Sequence, residues 1–199
     1  MKFKEAFQLF LLPVYQPIKR LQQLLVYPQR LLLSSLIFFF LGLLYTLSVQ
    51  LAYSRGITPG VTPFINIPVE DYYYWQRFWQ IPFFFITTIV FSGSVRLLSE
   101  TVSGKGRFEN IFCILAVAQT FPMFVTMWVP ETINFLFFPD HNIYPVWLNI
   151  ARQIVGIIWP IIITVIGVSI SEKIMWYHSA LFVFIASIPM TALMIIFIR

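Results

Sequence analysis

Five stretches of this chain run for a bilayer's width with almost no charge. The first lies between Arg30 and Arg55 and reads LLLSSLIFFFLGLLYTLSVQLAYS. About 20 apolar residues at 1.5 Å each cross a hydrocarbon core of roughly 30 Å. On that measure the pattern predicts spans over about 31–53, 78–96, 109–130, 146–171 and 174–198. The second is near the lower limit of length, and the fourth carries Arg152 at its headgroup end. A segment alone in lipid must satisfy its own backbone hydrogen bonds, so each span is expected to be a helix. The fold class is therefore all-α: an integral membrane bundle of five transmembrane helices in a domain covering 31–199.

Ahead of the first span, the pattern changes. In PIKRLQQLLVYPQR, Ile18, Leu21, Leu24 and Leu25 recur at helical spacing, opposite Lys19, Arg20, Gln22 and Gln23. A short basic amphipathic helix next to a membrane usually lies in the interface plane, the alternative being a soluble stub that docks on the bundle. Residues 1–30 are thus expected to be a cytoplasmic basic segment with an N-terminal amphipathic interfacial helix. Prolines interrupt four of the five spans, at Pro82, Pro122, Pro160 and Pro189. Each removes a backbone donor and kinks its helix.

Composition agrees with the pattern. Of 199 residues, 59% are hydrophobic and 11% charged, with a mean hydropathy of +0.81. A soluble domain carries about a quarter charged residues, so there is too little polar surface here to coat a globule. The net charge of +5 builds no basic patch interleaved with stacking aromatics, and no nucleic-acid partner is expected. Its use is to set direction. With the N-terminus cytoplasmic, Lys2, Lys4, Lys19, Arg20, Arg30, Arg96, Lys105, Arg107 and Lys173 fall inside, against Arg55, Arg77, Arg152 and Arg199 outside. The positive-inside rule then places the N-terminus in and the C-terminus out. The single cysteine, Cys113, excludes an internal disulfide and a multi-cysteine metal cluster. The basic start resembles a signal peptide, but Pro13 breaks its brief apolar patch and no small-x-small cleavage pattern follows, so the segment is read as retained.

The most polar interruption, SVRLLSETVSGKGRFENIF, contains a Gly-Lys-Gly. A phosphate loop requires Gly-x4-Gly-Lys-[Ser/Thr] between strand and helix. With Lys105 as its lysine, Ser99 stands where the first glycine belongs and Gly106 where the hydroxyl belongs. It is a tight turn between spans, in which Gly104 and Gly106 permit left-handed angles and Glu109 complements the next helix's dipole. The stretch VRLLSETVSGKGRFENIFCILAVAQTFPMFV resembles the Yip (Ypt/Rab-interacting protein) domain family, which carries such a turn before a proline-bearing third helix. Gly104, Lys105, Gly106 and Phe108 form the signature turn, and Pro122 matches the proline. The later WPIIITVIGVSISEKIMWYHSALFVFI looks like the family's last two spans. The resemblance implies five spans with a cytoplasmic N-terminus and no catalytic residues. With about thirty residues before the first span and no acidic tail, the chain resembles the compact prokaryotic members, and the small-GTPase partner of eukaryotic members is not carried over.

Candidate chemistry gathers on the outward side: Glu70 and Asp71, then Glu131, then Asp140 with His141. Carboxylates and imidazole suit a divalent metal or general acid–base work. Their spacing fixes no geometry, so Glu131, Asp140 and His141 are weak metal candidates set against a reading as solvated loop charges. The aromatic run YYYWQRFW fits an interfacial belt, with Arg77 reaching to phosphates. Lys19, Arg20 and Arg30 are the expected lipid headgroup contacts on the other side. No charged side chain falls at a predicted mid-span position, which argues against an ion-coupled secondary transporter. A route beside the kinked third and fourth helices would use Gln119, Pro122, Gln153 and Pro160. The leading expectation is a non-enzymatic, cofactor-free, multi-pass protein of a bacterial or archaeal cell membrane. It organises the bilayer, scaffolds other membrane proteins or self-associates. A small channel, lipid transporter or permease is the alternative, and an outward-facing metal-dependent enzyme comes third.

Overall fold

The computed structural model describes residues 14–59, 64–65, 67–138 and 143–197. Asp140 and His141 lie outside the described residues, as do Lys2, Lys4 and Arg199. A short helix, α1, covers Pro17–Val26. Five long ones follow: α2, Arg30–Ser54; α3, Tyr72–Glu100, entered through a 3-10 turn at Val69–Asp71; α4, Phe108–Phe137; α5, Val146–Glu172; and α6, Trp176–Phe197. All five are long and apolar enough to cross a membrane, and no strand occurs among the described residues. The molecule is a multi-pass α-helical membrane protein.

Its third spanning helix is the hub. α4 packs against α2, α3 and α5, while α6 packs on α3 and α5. In its most apolar stretch α4 is 67% buried, against 17% for α6. The run Ile111–Ala118 is buried on every face, which an apolar segment tolerates only when helices surround it on all sides. Phe38 of α2 meets Phe112 edge-on at 5.4 Å between ring centroids, and the two share Phe85 of α3 as a neighbour.

The second spanning helix, α3, is longer than its apolar run because Arg77 finds partners within the protein. Its guanidinium lies over the Tyr74 ring at 4.2 Å and the Phe78 ring at 4.9 Å, and donates to Gln50 of α2. Cation–π contact plus a hydrogen bond lets a charge sit inside a helix pair that a hydropathy window would end there.

Pro122, Pro130 and a π-helical stretch at Phe124–Trp128 mark the kinked half of α4. Pro130 has no N–H to give to the Thr126 carbonyl four residues back. Arg152 Nη1 of α5 donates to that carbonyl at 2.9 Å. Trp128 Nε1 donates to Leu44 O of α2 at 2.9 Å. The bend is thus pinned from two sides. Pro82 and Pro189 are exposed, whereas Pro160 is buried on α5.

α1 folds back on the bundle. Leu21 and Leu24 are fully buried, against α4 and α5, while Lys19, Gln22 and Gln23 face out. Arg30, at the start of α2, donates to Asn110 of α4 at 3.1 Å and to the Tyr27 carbonyl. It braces two helices instead of standing clear as a headgroup contact.

Helix approach at the hub requires Gly167 of α5: a Cβ there would stand 2.4 Å from Ile114 Cγ2. Gly167→Leu is expected to separate α4 from α5 at a cost of about 2–3 kcal/mol. Cys113, buried in the same layer, reports the opening. In a thermal ramp with a thiol-reactive dye, the variant should label several degrees below the parent, and an unchanged transition would refute this account of the contact.

Candidate functional site

Two polar constellations stand out, one at each end of the bundle. The first surrounds Glu172, the last residue of α5, whose side chain is fully buried. Arg96 of α3 donates from Nη1 to Glu172 Oε2 at 2.8 Å and to the Gly104 carbonyl at 3.1 Å, while its Nη2 pairs with Glu100 at 3.1 Å. The turn closes over the carboxylate. Gly106 N–H donates to Glu172 Oε2 at 3.0 Å, and Lys105 N–H donates to the Glu172 carbonyl at 3.0 Å.

This geometry explains the Gly-Lys-Gly turn. A Cβ on Gly106 would lie 2.2 Å from Glu172 Oε1, and one on Gly104 would lie 2.8 Å from Glu172 Oε2 and from the Ser99 carbonyl. Both glycines are there for close approach to a carboxylate. The left-handed angle expected of them falls elsewhere, on Ser103 with φ 61°, and on Lys173 with φ 56° where α5 ends. Gly104 N–H closes onto the Ser99 carbonyl at 2.8 Å. Phe108 packs against the core beside Phe112, and Lys105 stays exposed.

The second constellation lies at the opposite end. Glu131, read as a loop charge, is helical: it sits on α4 a turn and a half before Phe137, about 9 Å below the helix end at 1.5 Å per residue. It pairs with Arg152 of α5 at 3.7 Å. Arg152 is held in place by Asn149 Oδ1 at 2.8 Å and the Thr126 carbonyl. In front of Glu131 is a pocket of about 170 Å³ whose polar walls are Tyr45 and Ser48 of α2 and Tyr73 and Gln76 of α3. Ser48 Oγ lies 3.4 Å from Thr132 Oγ1. The Tyr45 hydroxyl and Gln76 Oε1 are buried and have no partner among the described residues. Gln76 spends its amide N–H on Gln80 at 3.1 Å.

The expected metal set is only partly placed, since Asp140 and His141 are outside the described residues. Among those described, no group of three His, Cys, Asp or Glu side chains could hold a metal ion. Of the expected route residues, Pro122 and Pro160 are buried, Gln119 is half-buried and Gln153 faces outward. None of the four lines the polar pocket, which lies between α2, α3 and α4. Glu172 itself escaped the sequence reading. Its one signal was a Glu-Lys pair inside otherwise apolar text, which reads equally well as a turn.

Compared with protein-family models, curated proteins and solved structures, the chain matches none.

Breaking a buried ion pair from one side leaves an unmatched charge and costs about 3–5 kcal/mol. Arg96 keeps some solvent contact, so Glu172→Ala is expected near 3 kcal/mol, and Gly106→Ala should fall in the same direction by displacing the carboxylate. Denaturation in mixed micelles, followed by Cys113 labelling, would measure both. Two variants as stable as the parent would rule out a clasp.

Proposed function

We propose that this chain is a non-enzymatic, Yip-like membrane protein that organises the bilayer and scaffolds other membrane proteins. Its Gly-Lys-Gly end faces the cytoplasm of a bacterial or archaeal cell. One observation carries this reading: the bundle is shut at the Gly-Lys-Gly end and open to its surroundings along its side. There, Ile111–Ala118 fill the centre with no exposed face, and the turn locks over Glu172. In contrast α6 buries little of itself, and Leu181, Phe184 and Ile188 all present apolar faces outward. A protein sealed across its middle and apolar along its flank is built to be surrounded, by lipid or by another helix.

The charge pattern supports the same reading. Lys19, Lys105, Arg107 and Lys173 are all exposed. They share one end of the bundle, because Arg30 ties the start of α2 to the start of α4 and the Gly-Lys-Gly turn binds the end of α5. A basic rim of this kind attracts anionic inner-leaflet lipid at about 1 kcal/mol per residue near the surface.

The polar pocket in front of Glu131 favours a second reading, as the mouth of a route for a small solute or ion. An intramembrane carboxylate facing a cavity is a functional-site hypothesis by default.

Vesicle reconstitution separates the two. Under the leading reading, a triple Lys19→Gln, Lys105→Gln, Lys173→Gln variant should lose about tenfold of the parent's preference for anionic over zwitterionic lipid in nanodiscs, and proteoliposomes should pass potassium or protons no faster than empty ones. A flux abolished by Glu131→Gln would transfer the assignment to the second reading.

A further inference from the structure

A cleft lies on the side of the bundle, away from both polar constellations. It encloses about 620 Å³ along the last turns of α5, with Ile162, Ile166 and Ile170 as its floor. Trp176 and Ala180 of α6 form one wall, and Ile18 of α1 forms the other. Its one hydroxyl, Ser169 Oγ, is already spent on the Ile174 carbonyl at 2.7 Å. The cleft is therefore apolar throughout and opens sideways from membrane-spanning helices, where the surrounding solvent is acyl chain.

Its mouth is basic. Lys19 follows the wall residue Ile18 directly. Lys173, held by the left-handed cap between α5 and α6, is exposed just before Trp176. Trp176 itself is 71% exposed at the rim, the position an indole takes at headgroup level. The acids nearest in the fold are occupied or averted: Glu172 is enclosed by the turn and Glu100 pairs with Arg96. An apolar slot ending at two lysines and an indole matches a molecule with one apolar end and one anionic end.

We propose that this cleft is a binding site for a single anionic phospholipid, with an acyl chain along Ile162–Ile170 and the phosphate between Lys19 and Lys173. A transmembrane helix from a second copy would fill the slot but would have to bring an acid to the lysines, and at this end of the described helices Glu100 is paired with Arg96 while Glu109 opens a hub helix whose next turns are wholly buried. α1 then acts as one jaw of the site: its Leu21 and Leu24 anchor it to the bundle, leaving Ile18 to touch the lipid. This assignment rests on the membrane-organising reading and deepens it, replacing a diffuse basic rim with one stoichiometric lipid.

The test uses the full chain purified in detergent and titrated with phosphatidylglycerol or phosphatidylcholine of the same acyl chains, with retained lipid counted by native mass spectrometry. The parent should retain one phosphatidylglycerol with about tenfold preference. Ala180→Trp and Ile166→Phe, which fill the slot and keep every charge, should lose that lipid at an unchanged Cys113 labelling temperature. Lys19→Gln with Lys173→Gln should keep one lipid but lose the preference. Slot-filled variants that retain phosphatidylglycerol like the parent would overturn the proposal. If they do so while the triple lysine variant still loses its nanodisc preference, the cleft assignment falls and the membrane-organising reading stands. If both measurements are flat, both fall.

Discussion

A single buried carboxylate organises one end of this bundle. Glu172 ends α5 with no solvent contact, and a charge so placed needs donors of good geometry, which here meet Oε2 while Oε1 has no partner among the described residues. Arg96 provides one from α3, and the Gly106 N–H provides another from the turn that begins α4. Three helices are therefore registered against one another by one side chain. The apolar layers above it need that registration, because hydrocarbon contacts between helices in lipid are nearly indifferent to sliding. Directional bonds at the end of the bundle decide which ridge of α4 meets Gly167.

The opposite end is held differently. Proline removes donors, and the carbonyls set free must find partners in a medium without water. At Thr126 the partner is Arg152, so a guanidinium that also faces Glu131 does backbone work. The kink, the ion pair and the pocket thus form one arrangement: the π-helical stretch turns α4, and the turn brings Glu131 round toward Tyr45 and Gln76. One end is closed by short bonds from a glycine turn, and the other contains a cavity, with unpartnered buried polar atoms at both. That asymmetry is the strongest physical feature separating this protein from a uniform stack of greasy helices.

How much of this is legible in the chain follows from range. Five spanning helices can be read because apolar length is a local property. So can the amphipathic face of α1, since Leu21 and Leu24 repeat within ten residues. The ends of spans read poorly wherever a charge has a distant partner: Arg77 closes a hydropathy window yet belongs inside α3, and Glu131 resembles a loop residue yet lies on α4. The Gly-Lys-Gly turn announces itself, but its reason does not. The clasp joins residues 66 and 76 positions apart, and no local pattern encodes that Gly106 must lack a Cβ because Glu172 lies beneath it. Left-handed angles were expected at the glycines on local grounds, and they fall on Ser103 and Lys173 because the carboxylate sets the path of the chain.

The two ends also bear on how the protein could act without moving anything across the membrane. Lys173 follows Glu172 directly and Lys105 is bonded through its N–H to the Glu172 carbonyl, so the clasp fixes where both lysines are anchored on the backbone. Cations anchored at fixed backbone positions lose less conformational entropy on meeting a headgroup than those on a flexible tail of equal charge. The clasp is thus more than a stability device. Under the proposed membrane-organising reading, fixed anchoring of its cations would give a general attraction for anionic lipid a preferred geometry.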